Sequence, residues 1–362
     1  MSHKVKHVAG ITPTVAFITA PGTTPEPRTL EAHVAMAIRF DRPGGPEVMR
    51  WEAVEVGEPG AGEVRVRHHA VGLNFADTYF RSGLYPAVLP AGMGVEGAGV
   101  VEAVGAGVTD FVEGDRVTYT GSPLGAYSTE RVLSADHLIK LPDAISFDTA
   151  AAMTMRGLTT SYLLRRIAPG LKAGDTVLLH AAAGGVGLLF TQWARLLGVK
   201  VIGSVSSDAK AAVATAHGCE HTIVYTREDV ATRVREITDG AGVPVVYDSI
   251  GRTTYQSSID SLARRGLLVC FGTASGQVPP INAMELAMKG SLYVTRPALA
   301  DFIADKDERA ALAAELFDHV GAGRIQVEIN QRYALDDAVQ AHHDLEAGRS
   351  IGSSVFDLES AA

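Results

Sequence analysis

The stretch HAAAGGVGLL, residues 180–189, follows a strand-like run over 176–179 and opens an apolar helical pattern that continues to Leu197. A strand that reverses into a helix through so many glycines constrains the fold more than any other segment. It brings backbone close to whatever binds above the strand, and it needs a small residue where helix and strand touch. Read against Gly-x-Gly-x-x-Gly, the turn supplies Ala182, Gly184 and Gly187, with Gly185 and Val186 between the last two. The first glycine is an alanine, so the question is whether such a turn still cradles a dinucleotide on the positive end of its helix.

The context favours a nucleotide turn. From about Thr176 the runs TVLLH, KVIGSV, TIVY, PVVYDSIG, LLVCFG and SLYVT alternate with helical patterns such as REDVATRVREITDG and TTYQSSIDSLARRG. Six strands with helical crossovers predict an α/β fold with a six-stranded, doubly wound parallel sheet, a Rossmann domain, and place the glycine turn after its first strand. Upstream, MAIRF, GEVRVRHHAVGLN, GAGVVEAVG and GDRVTYT are short β-prone runs broken by glycine and proline, which predicts a β-rich, barrel-like domain. Two amphipathic helices over 308–320 and 335–347 precede the run SSVFDL, a last strand placed to return to the first domain and make it discontinuous. The expected division is 36–158 with 299–362 for the β-rich domain and 159–298 for the Rossmann domain. Residues 1–35 read as a disordered extension: Lys4 and Lys6 imitate the start of a secretory signal, but Pro13 and two threonines dilute the apolar stretch that follows.

Composition excludes several function classes. The formal charge is −9 and the basic residues are scattered, which leaves no footprint for nucleic acid or an anionic membrane surface. No apolar run reaches the length of a membrane span. Cys219 and Cys270 are the only cysteines, too few for a disulfide framework or a four-thiolate zinc lobe, and they point to a reducing, cytoplasmic setting.

The end of the second Rossmann strand decides which dinucleotide is favoured. An NAD site carries Asp or Glu there to bond the ribose hydroxyls. In KVIGSVSSDAK that place falls to Val205 and Ser206, and Ser206, Ser207 and Lys210 suit a 2′-phosphate, with Asp208 as the complication. The cofactor expected is NADPH. Ser249, Phe271 and Gly272 lie at the C-terminal ends of later strands, where cofactors bind in open α/β sheets.

Together, GLNFADTYFRSGLYP, LGAYS, HAAAGGVGL, VVYDSIGR and KGSLYVTRP resemble the medium-chain dehydrogenases/reductases, and among them the zinc-independent quinone oxidoreductases of the zeta-crystallin type. The resemblance implies a GroES-like catalytic domain beside the Rossmann domain. Zinc-dependent members read Gly-x-Cys-x-x-Asp where this chain has Asn74 in place of the cysteine, and Gly-His-Glu where it has Gly94, Val95 and Glu96. Without thiolate or imidazole at those positions, no three-ligand zinc is expected. His68 and His69 are adjacent on a strand and face opposite ways, and His342 and His343 lack i, i+4 spacing, so they do not replace the missing ligands. The resemblance further implies Asn74, Asp77, Tyr79 and Tyr85 around the nicotinamide and substrate cleft, and Lys210 and Tyr225 at the 2′-phosphate. The family's usual arginine falls on Gly348, which leaves Arg349, one residue on, as a further candidate. It implies a homodimer through the edge strand that begins at Ser291 and ends at Thr295.

The expected activity is transfer of reducing equivalents from NADPH to a quinone, or a comparable α,β-unsaturated carbonyl, without metal. One alternative is an alkenal, enone or enoyl-thioester reductase on the same scaffold. Another is a non-catalytic NADPH-binding protein of the structural or RNA-binding crystallin kind.

Overall fold

Thr176–His180 carries three consecutive fully buried apolar residues, Val177, Leu178 and Leu179, the pattern of a strand covered on both faces. It lies inside a six-stranded, all-parallel sheet whose spatial order is His221–Val224, Lys200–Val205, Thr176–His180, Val243–Asp248, Leu262–Cys270 and Tyr293–Thr295. The first three strands run outward from Thr176–His180 in one direction and the last three in the other. That reversal opens a crevice at the C-terminal strand ends, the general ligand position of such sheets. The structure, a computed structural model, describes residues 33–121 and 123–358. The expected extension over 1–32 lies outside them, while Val34 and Ala35 already belong to the first strand, Val34–Phe40.

One helix is shorter than its pattern suggests. TTYQSSIDSLARRG predicts a helix across the whole segment, but the helix is Tyr255–Ser261 and the chain is already extended from Leu262. Leu262 pairs with Val243 of the neighbouring strand and Arg265 takes φ +59°, so sheet pairing and a left-handed residue override the helical pattern.

The β-rich part is built on the long strand Glu63–Leu73, which pairs antiparallel with Glu96–Val104, with Glu130–Ser134 and with the chain's last strand, Ser353–Asp357. SSVFDL is thus a strand of the sheet built by the upstream β-prone runs. Arg116–Thr120, Ile139–Lys140 and Ile329–Tyr333 complete this sheet, and Arg50–Glu55, Val34–Phe40 and Ala91–Gly92 form a smaller one. The fold is thus a parallel Rossmann sheet with a separate β-rich domain.

The helix Phe147–Tyr162, continued by a wide turn over Leu163–Ile167, runs across residue 158 without a break. Ala150, Ala151, Ala152, Met153 and Leu158 are fully buried in a core that also holds Ala70 and Ala98 of the β-rich sheet and Phe190 and Trp193 of the glycine-turn helix. Small residues on this helix let both layers approach it closely. No helix among the described residues is long and apolar enough to cross a membrane.

Gly187 shows how tightly helix and strand meet. A Cβ there would lie 2.5 Å from the carbonyl oxygens of both Ala181 and Ala182, so Gly187→Ala must push the helix off the strand. The variant is expected to lose about 1–3 kcal/mol, as is usual for overpacking. It should appear as a lower urea midpoint at an unchanged m value.

Candidate active site

The helix Gly185–Leu196 starts at the C-terminal end of Thr176–His180, with Gly184 as its N-cap. Its first turn, Gly185, Val186 and Gly187, lines a cavity of about 790 Å³ and offers the free N–H groups of a helix start. A Cβ on Gly184 would meet only the Ala181 oxygen at 3.2 Å, so backbone here is open to a ligand. The left-handed residue of the turn is Ala181, at φ +55°, rather than a glycine. Ala182 is fully buried and does not line the cavity. Its methyl packs where a Cβ on Gly203 of the next strand would stand, 2.6 Å away. The alanine in the first motif position is accommodated because the adjacent strand carries the glycine instead.

His180, at the strand's end, contacts Ser204 Oγ at 2.7 Å and Ser258 Oγ at 2.9 Å, and Ser258 donates to Asp248 Oδ2 at 2.7 Å. This buried chain ties three strand ends together beneath the crevice.

One end of the cavity is lined by Val205, Ser206, Lys210 and Tyr225. Lys210 Nζ donates to the Gly348 oxygen at 3.0 Å, and Tyr225 is half exposed. Asp208, the complication in the sequence, does not line the cavity; its carboxylate accepts from Arg227 Nη1 at 2.7 Å on the outside, which holds it below the usual carboxylate range. No carboxylate lines this end among the described residues.

Ser249, Phe271 and Gly272 line the middle of the cavity, and Asn74, Tyr79 and Tyr85 its other end. Tyr79 Oη accepts the Thr273 N–H at 3.1 Å, which bridges the two sheets, and its ring meets that of Tyr85 edge-on at 5.2 Å.

The sequence of this chain matches the alcohol dehydrogenase GroES-like domain over residues 60–143 and the zinc-binding dehydrogenase domain over 185–312. It is 54% identical over 324 residues to a quinone oxidoreductase of Pseudomonas aeruginosa, covering 89% of this chain and 99% of the relative. The chain belongs to the quinone oxidoreductase family of the medium-chain dehydrogenases/reductases. A crystal structure of the Escherichia coli quinone oxidoreductase complexed with NADPH superposes with a TM-score of 0.87 at 46% identity, covering 89% of this chain and 99% of that one. A 2-haloacrylate reductase of a Burkholderia species is also 46% identical, over 89% of this chain and 99% of the relative.

Within this quinone oxidoreductase fold, two expected site residues besides Ala182 lie outside the cavity. Asp77 is fully buried behind it; its Oδ2 accepts the Asn74 N–H at 2.8 Å and the Tyr127 hydroxyl at 2.9 Å, so it braces the start of the helix Phe75–Ser82. Arg349 points away: its Nε donates to Asp344 at 3.0 Å, and Gly348 and Ser350 line the cavity in its place. Of the expected set, then, the structure brings together Asn74, Tyr79, Tyr85, Gly184, Gly185, Val186, Gly187, Ser206, Lys210, Tyr225, Ser249, Phe271 and Gly272, and leaves out Asp77, Ala182 and Arg349. It adds Arg156, Tyr162, His180 and Arg296, which sequence reasoning missed. Arg156 left a signal, being the one charge in the apolar run AAAMTMRGLT.

The positions equivalent to zinc ligands do not fit the metal. Asn74 Nδ2 donates to Glu96 Oε2 at 2.7 Å, Val95 is buried and apolar, and Glu96 Oε1 accepts the Met155 N–H at 2.6 Å. The group of histidine and carboxylates with metal-like spacing among the described residues, His33, Glu102 and Glu130, lies outside the cavity, and Arg67 already pairs with Glu102.

Burial pushes the carboxyls of Asp77 and Glu96 up to about 7, and pushes the imidazoles of His68 and His342 down to about 4 and about 3. The folded protein holds the two carboxyl protons more tightly than the unfolded chain does. Their contribution is therefore present at low pH and is lost as pH rises toward 7. The histidines act oppositely, adding stability as pH rises from their folded values to their ordinary 6.5. Glu96→Gln removes one carboxyl alone. Its urea stability relative to wild type is expected to improve steadily between pH 4.5 and pH 7.5; a pH-independent difference would contradict the burial effect.

Proposed function

We propose that this chain is an NADPH-dependent quinone reductase that works without metal. The observation that carries the reading is one continuous cavity with the glycine turn, Ser206 and Lys210 toward one end and Asn74, Tyr79 and Tyr85 at the other. When bound, NADPH supplies a hydride at its nicotinamide. The residues that line the cavity suit that group. The first turn of Gly185–Leu196 would take the pyrophosphate, and Ser206, Lys210 and Tyr225 the 2′-phosphate. Tyr79, Tyr85, Tyr162 and Phe271 would hold flat rings, and apolar neighbours such as Val95, Met155 and Ile303 exclude water. Asn74 donates toward the acceptor oxygen as negative charge develops there, the kind of preorganised contact worth roughly 3 to 4 kcal/mol.

Oxidation of NADPH and NADH is followed at 340 nm with 1,4-benzoquinone, with and without chelator. Wild type is expected to prefer NADPH and to ignore chelator. Lys210→Ala should raise the KM for NADPH about tenfold while leaving that for NADH nearly unchanged, as loss of one charge-assisted phosphate contact requires. Equal effects on both cofactors would remove Lys210 from the 2′ site.

A second reading, reduction of activated alkenes, is favoured by Arg296. Its Nη2 donates to Tyr85 Oη at 2.7 Å and its Nη1 to the Pro297 oxygen at 2.8 Å, and no carboxylate among the described residues forms an ion pair with it. A guanidinium on an aromatic cleft with no carboxylate partner suits an anionic acceptor. The Burkholderia relative bears the name of such an activity. On this reading 2-chloroacrylate is reduced, and Arg296→Ala raises its KM at least about tenfold, as loss of a bidentate carboxylate contact implies, with little change for benzoquinone.

The domain division at 158/159 and 298/299, a cytoplasmic location and small-molecule acceptors as the partners, rather than nucleic acid or membrane, belong to the same proposal. So does a homodimer through Tyr293–Thr295, a sheet edge whose Tyr293 is 60% exposed. Sedimentation giving a monomer mass would refute it.

A further inference from the structure

Two glycines beside the cavity are small for a reason unrelated to ligand approach. A Cβ on Gly72 would lie 2.3 Å from the Ala151 oxygen and 2.4 Å from Glu96 Oε2, and a Cβ on Gly185 would lie 2.4 Å from Arg156 Nε. The space is filled by a buried carboxylate and a buried guanidinium at the junction of the two sheets. Glu96 Oε2 accepts from Asn74 Nδ2 at 2.7 Å and stands 3.8 Å from Arg156 Nη1. Arg156 also donates Nη1 to the Ala152 oxygen at 3.0 Å and Nη2 to the oxygen of Leu73, the residue before Asn74. Asn74 is therefore held by its side chain through Glu96 and by the preceding peptide through Arg156, whose other edge packs on the first residue of the glycine-turn helix.

A buried ion pair gains little net stability over an apolar pair of the same shape. Its placement is better explained by geometry. The terminal torsion of an asparagine is broad, so an amide on a loop end does not by itself face one way. A hydrogen bond donated to a carboxyl group that is itself held on both oxygens removes that freedom.

We propose that Glu96 and Arg156 are positioning residues: Glu96 sets the orientation in which the Asn74 amide meets the acceptor, and Arg156 ties that loop to the glycine turn so that both ends of the cleft keep one register. The proposal rests on the reading of Asn74 as the acceptor's hydrogen-bond donor.

The test combines a kinetic cycle with a measurement that needs no turnover. With NADPH and benzoquinone, Glu96→Gln is expected to lower kcat on the order of tenfold while the KM for NADPH stays within about twofold. Asn74→Ala should lower kcat on the order of a hundredfold. In the Asn74→Ala background Glu96→Gln should then cost less than about twofold, because it acts through the amide already removed. Independent, multiplying losses would overturn the proposal, as would a Glu96→Gln effect confined to KM.

In parallel, the Asn74 side-chain amide of the full chain is identified in a ¹⁵N–¹H spectrum by its disappearance in Asn74→Ala. It should shift in Glu96→Gln and in Arg156→Lys, and should exchange slowly with solvent in wild type. An unshifted or fast-exchanging amide sinks the idea, and the wild-type exchange decides the matter if a variant does not fold. If wild type turns over no acceptor, the reductase reading fails while the amide still reports on the positioning.

Discussion

The packing of the helix Phe147–Tyr162 against both sheets is the contact on which the cleft depends. Its alanines let the β-rich sheet and the Rossmann layer share one core, with Ala70 and Ala98 on one side and Phe190 and Trp193 on the other. Because the core is continuous, the cavity takes its walls from both parts of the fold. The same helix carries Met155, Arg156, Thr159 and Tyr162 into the cavity wall, so the element that joins the layers also shapes the site.

The glycine turn works by redistribution. Close approach of strand, turn and helix needs room at three places, and the chain supplies it with Gly184 toward the cavity, Gly187 toward the strand and Gly203 beneath Ala182. Ala181 takes the left-handed conformation, which costs a non-glycine residue roughly 1–2 kcal/mol. A rigid surround makes that tolerable.

Charge follows the same logic. Asp77, Glu96 and Arg156 are buried where the two sheets meet, and each is tied to backbone: Asp77 to the Asn74 N–H, Glu96 to the Met155 N–H and Arg156 to the carbonyls of Leu73 and Ala152. Acidic groups near the nucleotide end face outward instead, as Asp208 does toward Arg227. Carboxylates are thus kept from the surface where a polyanionic cofactor would lie, while the cleft itself holds Lys210 and Arg296.

The sequence by itself determined the sheet, because six apolar runs spaced by helical patterns admit few other packings, and it determined the nucleotide turn and the lack of zinc ligands at Asn74 and Val95, because these are local in the chain. Tyr79, Tyr85, Ser206, Lys210 and Tyr225, named from motifs far apart in the chain, all line the one cavity. Asp77 and Arg349 do not line that cavity, since motif spacing tells which residues are near but not which way a carboxylate or guanidinium turns once Tyr127 or Asp344 engages it. The sequence was silent on the contacts of Arg156 with Leu73 and of Arg296 with Tyr85, residues far away in the chain. Only the tertiary structure decides those contacts, because a guanidinium settles wherever distant segments complete its hydrogen bonds, and that arrangement exists only once those segments have packed together.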